Sequence, residues 1–276
     1  MQIRYLCPYW GQEQTGPESF LQSVIAAGYN GIEIDPGGVQ DLRHWITVLK
    51  EIRAQHKDFV VVAQMVLGEQ YGTFDQFREA MIQRLELLTS FDPLFINAHT
   101  GRDYFSFREN CALIQSAAVF SNQQKIPVYH ETHRGRFSYA LHRMPEYLAL
   151  FPELGLVADY SHWCAVSESM LSYQEATLKQ LTPHIRHIHA RVGYEHGPQL
   201  PDPFAPAYQQ YLHRFTSWWQ QILDHHRQQT TSFTICTEAG PVPYMPVNPD
   251  NGQPLADQWT ININMLEYLQ QAFAHY

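Results

Sequence analysis

Lysine is scarce, with four residues (Lys50, Lys57, Lys125 and Lys179) in a chain of 276 whose formal charge is -9 at neutral pH. Nonspecific affinity for nucleic acid comes mainly from Lys and Arg gathered against phosphates, so this balance argues against a protein that lives on a nucleic-acid backbone. Lysine is also nearly absent from the tips of the predicted strands, and Lys125 precedes the fifth strand at its opposite end. A Schiff-base aldolase would need an amine at a tip. No apolar run is long enough to span a membrane. The four cysteines (Cys7, Cys111, Cys164, Cys236) form no CxxC pair, which leaves neither a disulfide framework nor a zinc knuckle. Neither GxGxxG nor GxxxxGK[ST] occurs, so nucleotide-binding folds have no motif to stand on. Low-complexity segments and internal repeats are absent too. The first residues enter a strand pattern at once, with no leader-like segment, and a soluble, cytoplasmic protein is expected.

What is present is a regular alternation. Apolar, β-branched runs at Ile3 to Cys7, Gly31 to Asp35, Phe59 to Leu67, Leu94 to His99, Ile126 to His130, Leu154 to Asp159, Ile185 to His189 and Phe233 to Glu238 read as eight strands covered on both faces. Helical patterns lie between and after them. One is expected to open with a capping box at Thr15 and Glu18, with Pro17 at its first position, and to stop at Gly28; another opens with Thr73 and Gln76. A single helical segment is expected to run from strand six to near Pro183, and a proline-rich loop from Gly193 to Pro206 is expected to act as a lid. Eight βα units in a chain of this length predict an α/β fold, a single-domain (β/α)8 TIM barrel over residues 1–276.

The chemistry concentrates at Ile126 to Arg136, IPVYHETHRGR, a buried strand that runs into a burst of ionisable groups. Three later stretches repeat the pattern: LVADYSHW, IRHIHAR and FTICTEAG. The active face of such a barrel is built at the carboxyl ends of its strands. Glu131, Asp159, His189 and Glu238 come from strands five, six, seven and eight and would converge there. Three carboxylates packed together repel one another, and a divalent cation is the natural reason to gather them; the ligand mix suits Mn, Mg, Co or Zn.

A Glu ending strand five, the DxxH of Asp159 to His162, the HxH of His187 to His189 and the Glu-Ala-Gly from Glu238 resemble the xylose-isomerase-like barrel superfamily. That group includes keto-sugar epimerases, dehydroshikimate dehydratase and apurinic-site endonucleases. The resemblance implies that Glu131, Asp159, His189 and Glu238 hold one divalent metal, and that His162 and Arg191 touch substrate oxygens. It implies an isomerase or epimerase of a keto-sugar or related polyol ketone, acting through a metal-stabilised enediolate with Glu131 and Glu238 as base and acid. A dehydratase or lyase on a similar substrate, an endonuclease-like metal phosphodiesterase and a non-catalytic binding protein are the alternatives. The expected partner is a small carbohydrate, with no nucleic acid and no membrane, and a homodimer is plausible by resemblance.

His99 ends strand four in a segment similar to one where the endonucleases bind a second metal, but the strand-three tip (Met65 to Gly68) lacks the matching histidine. A trinuclear cluster is therefore not expected, and His99 is read as a substrate or pocket residue. His133 and Arg134 follow Glu131 directly and should line the same pocket. Glu33 has no partner identifiable from the sequence and His187 lies deeper in the barrel, so both are read as structural. Tyr9, Trp10, Trp163 and Tyr244 stand near strand tips, where aromatic faces could stack on a sugar. The turn Gly240 to Tyr244 offers too few free amides for a phosphate site, which favours an unphosphorylated substrate.

Overall fold

Alternation along the strands sorts the side chains into two sets, one facing the barrel axis and one facing the surrounding helices. The computed structural model describes residues 1–39 and 41–276. Its strands are β1 (Gln2–Pro8), β2 (Gly31–Ile34), β3 (Val60–Met65), β4 (Phe95–Ala98), β5 (Val128–Glu131), β6 (Leu156–Ala158), β7 (Ile185–His189) and β8 (Ser232–Cys236). Each pairs in parallel with the next, and β1 closes on β8 in the register Tyr5 with Ile235. The result is a closed parallel eight-stranded barrel. Its helices are α1 (Pro17–Ala26), α2 (Leu42–Gln55), α3 (Phe74–Leu88), α4 (Phe107–Gln124), α5 (Met144–Leu150), α6 (Tyr160–Ser167), α7 (Glu175–Leu181), α8 (Gln209–His226) and α9 (Gln258–Ala272). Among the described residues no helix is long and apolar enough to cross a membrane.

The main core lies between strands and helices, where Ile32, Ile34, Leu156, Ile188 and Ile235 meet Leu21, Trp45, Phe215 and Trp219. The interior of the barrel is different. Its floor is a small apolar plug of Leu6, Val62, Phe95 and Cys236, and above it the inward positions turn polar: Glu33, Gln64, Asn97, Glu131, His187 and His189 are all buried. Inward residues on one strand recur every second position, so Phe95, Asn97 and His99 climb β4 from plug to rim as Thr234, Cys236 and Glu238 climb β8. That gradient puts the chemistry at the carboxyl end.

The expected elements differ from the structure in three places. The N-cap of helix α1 is Gly16, not Thr15, and no side chain caps it. Pro17 already fills the first helical position and lacks an N–H, which leaves Thr15 one residue too early to cap. The Thr73 and Gln76 capping box does form. The segment after β6 is two helices, because Glu168 and Leu171 take left-handed backbone angles between α6 and α7. The loop from Gly193 to Pro206 folds back on itself through a Tyr194–Gly197 bridge, and its Gln199 exchanges two hydrogen bonds with Gly240. It packs beside the β8 turn and contributes no residue to the cavity described below, so it is not the lid expected of it.

His130 faces outward from β5, fully buried, with Nδ1 2.7 Å from the Thr100 hydroxyl. Burial pushes its pKa down to about 4 from an ordinary value near 6.5. The folded protein therefore binds fewer protons than the unfolded chain between those values. Stability from this residue is full above about pH 6.5 and is lost as the pH falls toward 4, a total of roughly 3 kcal/mol. Denaturant midpoints measured at pH 7 and pH 4.5 should show that loss, and it should shrink in His130→Asn.

Candidate active site

Four side chains from successive strand ends meet at the rim. Oxygen or nitrogen atoms of Glu131, Asp159, His189 and Glu238 all lie within 4.8 Å of one another, and all four residues are buried. His189 sits at the centre. Its Nε2 is 2.9 Å from Oε2 of Glu33 and its Nδ1 is 2.5 Å from Oε2 of Glu238 and 3.6 Å from Oε2 of Glu131. The contact with Glu33 engages Nε2 and turns Nδ1 toward the carboxylates of Glu238 and Glu131. Nδ1 and the Glu238 oxygen do not meet at a hydrogen-bonding angle, so both atoms are buried without a partner. Two electron-rich atoms pressed together in this way call for a cation or a proton between them.

The carboxylates are held differently. Oε2 of Glu131 accepts from His99 Nε2 at 2.7 Å and from Asn97 Nδ2 at 2.8 Å. Asn97 spends its other N–H on Oε1 of Glu33, also at 2.8 Å, and so ties the two glutamates together. Oε2 of Glu33 takes a second imidazole, His187, at 3.1 Å, whose Nδ1 in turn rests 2.7 Å from the Thr234 hydroxyl. Asp159 caps α6 through Ser161 and pairs with Arg191. Burial is the largest influence on every one of these groups. It raises Glu238 and Asp159 despite His189 and Arg191 nearby, whereas His99 and His189 outweigh it at Glu131, and His189 and His187 at Glu33, holding both below the ordinary range. At His189 burial is overcome by Glu238, Glu33 and Glu131, which keep its pKa well above 6.5.

The rim opens on a cavity of about 360 Å³ lined by Glu131, Glu238, His99, His133 and Arg191 of the predicted set. Tyr9, Trp10, Gln64, Arg136 and Tyr244 complete much of its wall. Trp10 and Tyr244 meet edge to face at 5.0 Å, and the Arg191 guanidinium lies 4.7 Å from the Tyr244 ring. Two predicted contacts fall elsewhere. His162 is fully buried behind the wall, accepting from Arg191 at 2.9 Å with its ring 3.8 Å from that of His133 and tilted 45° to it, while Arg134 is exposed and lies over the Tyr244 ring. Trp163 is buried as well, donating to the Ser138 carbonyl. His99, Glu131 and His133 form a second close group of ligand-type atoms at the rim.

Sequence reasoning left Glu33 without a partner and did not single out Asn97, Gln64 or Arg136 by role. A signal existed for the first three. Each is polar in an otherwise apolar strand and two residues before a tip, which is the inward register of the site.

No protein-family model and no curated protein sequence matches this chain. Solved structures do. A probable 3-DHS dehydratase involved in petrobactin synthesis from Bacillus anthracis is 18% identical with a TM-score of 0.64, over 98% of this chain and 99% of the other. A xylose isomerase domain containing protein from Salmonella typhimurium is 9% identical with a TM-score of 0.66, over 98% and 97%. The 3-keto-D-glucoside 4-epimerase of E. coli is 14% identical with a TM-score of 0.58, over 98% and 100%. A xylose isomerase-like barrel protein from Mycobacterium smegmatis, 9% identical, was solved in complex with magnesium; the match has a TM-score of 0.60 and covers 98% and 96%. At these identities the likeness establishes the shared fold.

Proposed function

From the xylose-isomerase-like barrel fold as premise, we propose that this protein is a divalent-metal-dependent isomerase or epimerase of a keto-sugar or related polyol ketone. One observation carries the reading: His189 Nδ1 and Glu238 Oε2 stand 2.5 Å apart with no hydrogen bond between them, and Glu131 and Asp159 flank them. The donor set of three carboxylates and one imidazole fits Mn, Mg, Co or Zn. Glu131, Asp159, His189 and Glu238 would hold the ion, which when bound would supply Lewis-acid polarisation of a substrate carbonyl.

The chain's own groups account for the proton transfer. Glu131 and Glu238 reach the cavity from β5 and the end of β8, three places apart around the barrel, so they flank a substrate between them. One removes the proton from the carbon beside the carbonyl, leaving an enediolate, and the other returns a proton. Return to the opposite face of the same carbon inverts it; return to the neighbouring carbon moves the carbonyl. Positioned acid–base groups of this kind contribute about 10²- to 10⁴-fold in rate. His99 holds Glu131 in place, Arg191 offers N–H groups to substrate oxygens, and Trp10 and Tyr244 present ring faces to the sugar backbone.

The test is incubation of the metal-supplemented protein with a panel of ketohexoses in deuterium oxide, followed by NMR. Solvent deuterium appearing beside the carbonyl, together with an epimer or positional isomer, supports the reading. Recovery of every ketose without deuterium, from a protein shown to carry metal, defeats it. Metal should also stabilise the fold directly. At a free concentration a hundred times its dissociation constant, it adds about 2.7 kcal/mol, which raises the melting temperature by on the order of 5 °C. Differential scanning fluorimetry with each of the four ions and then with EDTA reads that shift and its reversal.

A further inference from the structure

Arg136 is buried, with 7% of its surface exposed, and it lines the cavity together with Glu13, Asp35, Glu131 and Glu238, none of which pairs with it. Its Nη2 donates to the Leu67 carbonyl at 3.2 Å, and its Nη1 is buried with no partner. Arg102 donates to the same carbonyl at 3.2 Å and to that of Gly68, and it too is 7% exposed. Two desolvated guanidinium groups thus share one oxygen, and among the described residues neither forms a salt bridge. Glu131 and Asp103 attract Arg136 from a distance, but burial and Arg102 prevail and bring its pKa down to about 10, so it is charged at neutral pH. A buried charge with no directly paired counter-ion is costly, and the side chain of this one borders the cavity. The chain sets it there on purpose of geometry: Gly135, with φ of +75°, reverses the chain after His133 so that Arg134 leaves for solvent and Arg136 returns inward.

Resting on the proposed keto-sugar chemistry and deepening it, we infer that the substrate carries a carboxylate, and that Arg136, backed by Arg102, receives it. A planar guanidinium with a free Nη1 suits a carboxylate. A phosphate group is less well served. The Gly240 amide is already spent on Gln199, and the Leu67 carbonyl beside Arg136 would repel a dianion more than a monoanion. The substrate class is therefore a keto-sugar acid, with its carbonyl toward Glu131 and Glu238 and its acid group toward Arg136.

Matched pairs test this by binding alone. D-fructose is compared with D-fructuronate, and D-tagatose with D-tagaturonate, the acids differing from the parent sugars only in a carboxylate at C6. Calorimetric titration of the full chain, with and without manganese, should find the acid of at least one pair bound about tenfold or more tightly than its sugar. In Arg136→Met that preference should fall to within about twofold, with partial recovery in Arg136→Lys. If Arg136→Met does not fold, the methyl ester of the preferred acid replaces the variant, and the unaltered protein should bind it no better than the sugar. No preference in either pair, or a preference that survives loss of the arginine or of the ligand's charge, overturns the inference. A protein that binds no metal yet prefers the acid through Arg136 keeps this inference and loses the metal reading. One that binds metal and treats both members of each pair alike does the reverse.

Discussion

Glu238→Gln should fold normally and fail to hold a divalent metal. The side chain is buried and of nearly the same shape as its replacement, so packing around it is preserved. What changes is charge. The oxygen that faces His189 Nδ1 at 2.5 Å becomes part of a neutral amide, and the donor set loses one of its three carboxylates. Loss of a group that merely braces a ligand costs about 10- to 100-fold in metal affinity, so loss of a ligand should cost more. Turnover should fall by at least the 10²- to 10⁴-fold that one positioned acid–base group supplies. Metal titration and steady-state rates at saturating metal separate the two losses. A variant that binds metal as the parent does would remove Glu238 from the ligand set.

Glu33→Gln should be the most damaging conservative change in the barrel interior. All three of its neighbours donate: Asn97 at 2.8 Å, His189 at 2.9 Å and His187 at 3.1 Å. An amide puts its own N–H groups against at least one of them. Breaking a buried ionic network from one side costs about 3–5 kcal/mol. His189 also loses the partner that orients its ring, so metal affinity should fall about 10- to 100-fold even though Glu33 is not one of the four proposed ligands. Urea denaturation and metal titration read the two effects. Glu18→Gln is the control, because Glu18 pairs with His44 at 2.8 Å where both are about half exposed. Such a surface pair is worth about 1 kcal/mol or less. Comparable stability losses in the two variants would contradict the network described for Glu33.

Much of this was legible in the residues because strands buried on both faces leave an unbroken apolar signature. The eight runs were found within a few residues, and the stretch Ile185–His189 matched at both ends. The four convergent groups were legible because an ionisable residue at the end of such a run has one place to point. Glu33 was harder. Its partners lie on β4 and β7, 64 and 154 or more residues away, and only the barrel's closure brings them to it. The misplaced lid has a similar cause: a proline-rich loop announces irregularity, but only the Gln199 bonds to Gly240 show where it lies. His162 shares a motif with Asp159 and lies 3.5 Å from it, yet on α6 it is fully buried against Arg191 and His133 and does not reach the cavity. Arg136 went unassigned because a missing partner cannot be read from sequence.

The most direct measurement is the metal content of the unaltered protein after equilibration with Mn, Mg, Co or Zn and removal of excess ion, by elemental analysis. Retention of about one equivalent of at least one of these ions, lost in Glu238→Gln and in His189→Ala, is the result expected of a site built from Glu131, Asp159, His189 and Glu238. Failure to retain any of the four, or retention undiminished in both variants, would contradict it.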